Sequence, residues 1–270
     1  MLSVRAARKT FHEGTPNEVR ALDGVDLELP ESSFVVVIGT NGSGKSTLLN
    51  AVAGSIPLDS GSVLLDGRDV TRWREHRRAS MVGRVFQNPF TGTAPGMTLA
   101  ENLALATRRG MGRGLGWCLK RSLHAQMVER VRSLGMGLEE RLDTPIGTLS
   151  GGQRQALTLL MATWIRPKLL LLDEHTAALD PKTADQVLRL THSVVEAQRL
   201  TTLMVTHSMT QAVSLGDRLV MMARGRVLHD FQGADKSRLR ADDLLARFEE
   251  LRREERLDET TADSLRQRYL

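Results

Sequence analysis

Phe34-Val35-Val36-Val37-Ile38-Gly39-Thr40-Asn41-Gly42-Ser43-Gly44-Lys45-Ser46-Thr47 decides how the rest of the chain is read. Its five leading β-favouring residues predict a strand covered on both faces. Within Gly39 to Thr47 the first eight residues fit Gly-x-x-x-x-Gly-Lys-Ser/Thr, and the stretch from Thr47 to Ala53 is compatible with a helix. A strand, a glycine-rich loop and a helix in that order turn backbone N–H groups toward an anion, with the positive end of the helix dipole behind them. The stretch therefore predicts a cradle for nucleotide phosphates. Lys45 would reach the β- and γ-phosphates, and the Ser46 hydroxyl would ligate Mg²⁺.

On either side the pattern is that of an α/β chain. Val25, Leu27 and Leu29 alternate with polar residues, as a half-buried strand does, and Val63-Leu64-Leu65 runs into the hairpin signal Asp66-Gly67. From about Leu99 the period becomes helical, with a glycine-rich connection over Gly110 to Gly116. Residues 151–166 predict a helix stopped by Pro167, then Leu169–Leu172 and Leu203–Val205 predict two more buried strands. Strands alternating with helices make a mostly parallel sheet, whose ligands sit beyond the carboxyl ends of the strands.

Two of those strand ends deliver polar groups. Asp173 and Glu174 follow Leu172, and His207 follows Val205 by two residues. Asp173 suits Mg²⁺, Glu174 suits polarising an attacking water, and His207 suits a contact with the γ-phosphate or that water. Standing alone, an acidic turn and a surface histidine would be the plainer reading. Beside a phosphate loop, the catalytic one is preferred.

Thr148-Leu149-Ser150-Gly151-Gly152-Gln153-Arg154-Gln155 begins a helix, with Ser150 and Gln153 spaced as a capping box. Two glycines in a first turn each weaken a helix by about 1 kcal/mol. They predict something pressing close against that N-terminus, and a phosphate would do so.

Composition narrows the rest. The chain has 270 residues, 41% hydrophobic and 26% charged, which suits a folded globular protein. Its one cysteine, Cys118, excludes a disulfide framework and a Cys-ligated zinc site. A net charge of +5 suits nucleic acid, nucleotide or membrane surface alike, and six lysines against 31 arginines reflect composition as much as function. Only 4% aromatic residues argue against single-strand binding by stacking. No apolar run approaches the ~20 residues of a spanning helix. Met1 to Phe11 lacks the apolar segment of a secretory signal.

In this order the motifs resemble the nucleotide-binding subunit of ATP-binding-cassette (ABC) transporters, over about residues 2–245. The resemblance makes Gly39–Thr47 the phosphate loop and Gln87, in Phe86-Gln87-Asn88-Pro89, the Q-loop glutamine beside Mg²⁺. Residues 149–153 match the LSGGQ signature, Asp173 and Glu174 the Walker B pair, Ala178-Leu179-Asp180 the D-loop, and His207 the switch histidine. Phe11 stands where the family stacks an aromatic on adenine. His175 departs from the pattern, which more often has proline there. The implied fold is a P-loop NTPase cassette with a mostly parallel core sheet, an N-terminal antiparallel β subdomain and an inserted α-helical subdomain at about 88–148. Residues 246–270 would form a C-terminal helix and charged tail.

The resemblance implies an ATPase using ATP and Mg²⁺, working as a homodimer that sandwiches two nucleotides. Ser150, Gly151, Gly152 and Gln153 of one copy would face the other's γ-phosphate, with Asp180 at the same interface. It further implies an integral membrane permease gripped by the helical insert, indirectly a solute-binding protein, and no nucleic acid. The subunit would lie at the cytoplasmic face of the inner membrane, held there by the permease. An exposed apolar patch near Pro89–Leu99 is expected at that grip. Thr15-Pro-Asn-Glu-Val-Arg20 and Glu174–Pro181 resemble uptake systems with branched-chain-amino-acid-type permeases, hence import of a small organic solute such as an amino acid. An exporter or lipid-transport ATPase, or a soluble iron–sulfur-assembly ATPase, remains the alternative.

Overall fold

Two long antiparallel strands, β1 (Leu2–Phe11) and β2 (Val19–Leu29), open the chain in the computed structural model, which describes residues 1–110, 121–251 and 253. Val25, Leu27 and Leu29 are buried, as their alternation predicts. β3 (Phe34–Gly39) is buried along its whole length and feeds the phosphate loop and α1 (Lys45–Ala53). β4 (Ser60–Leu65) and β5 (Arg68–Asp69) form the predicted hairpin, with Asp66 at φ 54° and Gly67 at φ 76°, the positive values a two-residue turn requires. These strands make an antiparallel sheet ordered β2-β1-β4-β5.

A short helix, α2 (Glu75–Arg78), leads to β6 (Val82–Val85). The chain then leaves the sheet for α3 (Leu99–Thr107) and α4 (Arg121–Arg132) and returns through α5 (Gly151–Thr163). Next come β7 (Leu169–Asp173), α6 (Pro181–Gln198), β8 (Thr201–Val205), α7 (Met209–Ser214), β9 (Arg218–Ala223), β10 (Arg226–Gln232) and α8 (Gly233–Arg238). The second sheet is ordered β10-β9-β3-β8-β7-β6, parallel from β9 to β6, with β10 antiparallel at one edge.

The core falls into three clusters. One lies among the antiparallel sheet, α1 and one face of the parallel sheet; a second covers the other face beneath α5 and α6. The third belongs to the helical insert. α5 serves two of them: Leu159 and Ala162 face the sheet while Leu157 and Trp164 face the insert. That shared helix ties the insert to the sheet.

Two expectations change. The helix from residue 151 ends at Thr163 rather than at 166. Its last carbonyls are taken by arginines from the insert instead of by another turn: Arg109 donates to Ala162 O and Ile165 O, and Arg130 to Trp164 O at 2.8 Å. The apolar patch near Pro89–Leu99 contracts to Phe90, which is 49% exposed, because Leu99 turns into the insert's core. Of the Gly110–Gly116 connection only Gly110 belongs to the described residues. The C-terminal segment is helical over 241–251, with Leu244 buried and Phe248 and Leu251 packed on the core; residues 254–270 lie outside the described ones.

Candidate active site

The phosphate loop closes on itself. Lys45 is buried, and its ammonium donates to Gly39 O at 2.9 Å, Thr40 O at 2.8 Å and Ser43 Oγ at 3.3 Å. Burial lowers its pKa, while the Glu174 and Asp173 carboxylates pull it back up. Gly44 begins α1 at φ 98°, and a Cβ there would come within 2.2 Å of Ala21 O, so no other residue fits. No side chain caps α1, and its first turn holds no acidic residue. Ser46 faces solvent. The helix N-terminus thus keeps open donors and a positive end toward whatever enters the loop.

The same contact locates Phe11. Ala21 lies against Gly44, and two residues back along β2 Val19 pairs in register with Phe11. The Phe11 ring is only partly buried, with Lys9 Nζ 5.6 Å from its centroid. A flat apolar surface therefore lies near the strand that touches the phosphate loop, suited to a base plane.

Parallel register gathers the other groups. Val85 pairs with Leu172 and Asp173 with Val205, so Gln87, Asp173, Glu174 and His207 all follow the carboxyl ends of neighbouring strands. Gln87 is exposed. Asp173 Oδ2 accepts from Arg84 at 3.1 Å, and that guanidinium also donates to Asn50 Oδ1 at 2.8 Å and lies over the Phe86 ring. Glu174 sits at φ 44°, its N–H donating to Val205 O at 3.0 Å and its carboxylate paired with His207 Nε2. His175 turns inward, with Nε2 3.1 Å from Thr191 Oγ1. Burial pushes its pKa down to about 4, so it is neutral at pH 7 and serves to anchor the loop to α6.

The signature is a self-contained helix start. Gln153 N–H donates to Ser150 Oγ at 3.2 Å, and Ser150 N–H donates to Gln153 Oε1 at 3.1 Å. Ser150 and Gly151 are exposed. Something does press close on Gly152 within the chain itself: a Cβ there would meet Thr183 Cγ2 at 2.0 Å. The close neighbour is a methyl group of the same chain. Asp180 caps α6 through Thr183 N–H at 3.1 Å, so the turn at 178–180 and the signature are packed together. The structure gathers Gly39–Thr47, Gln87, Asp173, Glu174 and His207 at one edge. Residues 149–153 are tied instead to the insert, Gln153 Nε2 donating to Met136 O at 3.3 Å.

Arg84 and Gln211 were not legible in the sequence. Arg84 is 89 residues from the aspartate it holds, and only the β6–β7 pairing makes them neighbours. Gln211 donates to Thr176 Oγ1 at 3.3 Å across a separation of 35.

Comparison with known proteins gives the family. The family profile described as "ABC transporter" matches residues 22–177. The chain is 41% identical over 251 residues to the tyrosine transport ATP-binding protein of Clostridioides difficile, covering 92% of this chain and 99% of that one. It is 34% identical over 229 residues to the sulfate/thiosulfate import ATP-binding protein of Nocardia farcinica, covering 84% of this chain and 63% of that one. Among solved structures it superposes on the dimeric post-hydrolysis state of an ATP-binding cassette bound to ADP and Pi. That match has a TM-score of 0.73 and 26% identity, and covers 86% of this chain and 98% of the other.

Proposed function

The chain belongs to the ABC transporter family as an ATP-binding subunit whose ATP hydrolysis is coupled to transport, and from that premise we propose how its residues divide the work. The observation that carries the reading is the pairing of Glu174 with His207 at the strand ends facing an uncapped phosphate loop. Lys45 exchanges its loop carbonyls for β- and γ-phosphate oxygens. The N–H groups of the loop and first turn of α1 hold the remaining phosphate oxygens. Phe11 stacks on the base. Glu174 accepts the proton of the attacking water, and His207 holds that carboxylate and the γ-phosphate in line.

The donor set also fits Mg²⁺. Ser46 offers a hydroxyl, Asp173 a carboxylate whose Oδ1 is not used by Arg84, and Gln87 an amide oxygen, all hard oxygen ligands of the kind Mg²⁺ takes beside phosphates. When bound, the ion neutralises charge developing between the β- and γ-phosphates.

Two copies related by a two-fold axis would bring Ser150 and the Gly152 N–H of each onto the γ-phosphate held by the other, with Gly151, Gln153 and Asp180 beside it. The exposure of Ser150 and Gly151 supports this, as does the dimeric state of the cassette it superposes on. Loss of the shared γ-phosphate contacts on hydrolysis then releases the dimer. A groove of about 350 Å³ between the insert and β6, walled by Phe86, Leu105, Ala106 and Met161, receives a short helix of an integral permease. Among the described residues no helix is long and apolar enough to cross a membrane. The transport-system relatives support a subunit that rides on the permease at the cytoplasmic face. The direction is import of a small organic solute such as an amino acid, delivered by a solute-binding protein. The relatives named for tyrosine transport and sulfate/thiosulfate import support that choice.

Glu174→Gln tests the assignment. It should keep ATP affinity, lower turnover by roughly 10²–10⁴-fold, the usual contribution of a general base, and accumulate an ATP-bound dimer on size exclusion. Wild-type turnover would refute it. Purification from membranes with identification of the co-purifying integral protein tests the permease.

A further inference from the structure

We infer that Gln211 is a positioning residue that locks the loop carrying His207 onto the loop carrying Glu174. The inference rests on the reading of those two as the reacting pair, and adds to it the device that keeps them in register.

The need for such a device lies in the backbone. Glu174 has φ 44°, a left-handed conformation in which a side chain crowds its own peptide. A residue stays in that region only where its surroundings over-determine it. One tie is the Glu174 N–H bond to Val205 O at 3.0 Å, and a second is the carboxylate–imidazole contact with His207. The second is also the pair that must work, and His207 is itself half exposed, with 47% of its side chain open to solvent. Neither tie fixes where the imidazole stands relative to the carboxylate as nucleotide enters.

Gln211 supplies a third tie on the far side of His207. Thr206 Oγ1 donates to Gln211 Oε1 at 2.7 Å, and Gln211 Nε2 donates to Thr176 Oγ1 at 3.3 Å. Thr206 immediately precedes His207, and Thr176 lies two residues after Glu174. Both threonines are buried, at 4% and 6% exposure, so an unmade bond is poorly replaced by solvent. An amide offers an acceptor at one end and a donor at the other, as these two bonds take them. Ser208, on the other flank of the histidine, joins the same network: its N–H donates to Thr206 Oγ1 at 3.1 Å, and its Oγ accepts from Gln211 N–H at 3.3 Å. Thr206 is therefore held by the Gln211 side chain, and Ser208 by the Gln211 N–H and by Thr206 Oγ1. On the opposite loop, His175 pins the residue between Glu174 and Thr176 to α6.

The test uses the full chain and its basal ATPase. Gln211→Leu keeps the size and removes both bonds. It should lower kcat by roughly tenfold or more, as small misplacements of reacting groups do, while KM and nucleotide affinity without divalent metal stay within about twofold. Thr176→Val, which removes only the far end of the bridge, should lower kcat in the same direction by less, and it keeps the inference testable if the leucine variant folds poorly. The decisive readout is a double-mutant cycle. Because Gln211 acts through His207, adding Gln211→Leu to His207→Ala should cost nothing further. Losses that multiply would show a merely structural role and overturn the inference, as would wild-type kcat in Gln211→Leu beside an inactive His207→Ala. Wild-type kcat in His207→Ala would overturn the underlying assignment, and the inference with it.

Discussion

The chain contains two glycine-rich helix starts that look alike in sequence and are built in opposite ways. α1 begins at Gly44 with no side-chain cap and no acidic residue in its first turn, so its N–H groups and dipole are left for a ligand. α5 begins at Ser150 with both halves of a capping box made. The first is a helix start with its N–H donors left open. The second is complete as a helix, and it presents Ser150 and Gly151 outward. A nucleotide can therefore be held by the phosphate loop of one chain. The signature can contribute only to something brought to it from outside.

Lys45→Ala bears most heavily on the first site. Removing a buried, hydrogen-bonded charge opposite an anion costs about 3 kcal/mol, roughly a hundredfold in affinity. A titration with a fluorescent ATP analogue should show that loss. An unchanged titration would break the claim that α1 is the phosphate site. Because Gly39 O and Thr40 O lose their donor in this variant, a thermal melt should accompany the titration.

Gly152→Ala probes the second site. Its Cβ would stand 2.0 Å from Thr183 Cγ2. Overpacking of that kind costs about 1–3 kcal/mol, against about 1 kcal/mol returned by alanine's helix propensity. The variant should melt lower, and Thr183→Ser, which deletes the offending methyl, should restore the melting temperature of the double variant. Its ATPase then sharpens the comparison. Restored stability without restored turnover would mean that an incoming phosphate needs the glycine as well; recovery of both would leave Thr183 as its whole cause.

The same residues show how far a sequence can be read. The phosphate loop was legible because its causes are local: a buried strand, glycines and a helix start within fourteen consecutive positions. The capping box was legible for the same reason. Gly152 was noticed as closely pressed, but the Thr183 methyl could not be foreseen, since Thr183 lies thirty-one residues on and reaches it only through the packing of α5 on α6. Arg84 and Gln211 gave no local signal at all. Their partners are set by the order of strands β6-β7-β8, which places the loop after β7 between its two neighbours. The candidate groups that touch nucleotide announced themselves by type and spacing. Those that hold them in place did not, because an ion pair or amide bridge has no fixed spacing along the chain.

Ser150→Ala carries the smallest effect on stability and separates the two roles of that serine. Loss of a serine cap costs about 1 kcal/mol. Half of the box survives, because Gln153 Oε1 still accepts from the residue 150 N–H. An internal control exists at α3, where Thr98 caps Glu101 N–H at 3.2 Å and Glu101 accepts in return at 2.7 Å from Thr98 N–H. Thr98→Ala removes the same kind of cap from a helix of the neighbouring insert, at a position with no part in the proposed phosphate contact. The two variants should lose similar stability in thermal or denaturant unfolding. They should differ in ATPase, with Ser150→Ala losing turnover well beyond Thr98→Ala at matched temperature below both melts. Equal losses of turnover would mean that Ser150 is a cap and nothing more, and the contrast between the open helix and the closed one would then lose its functional half.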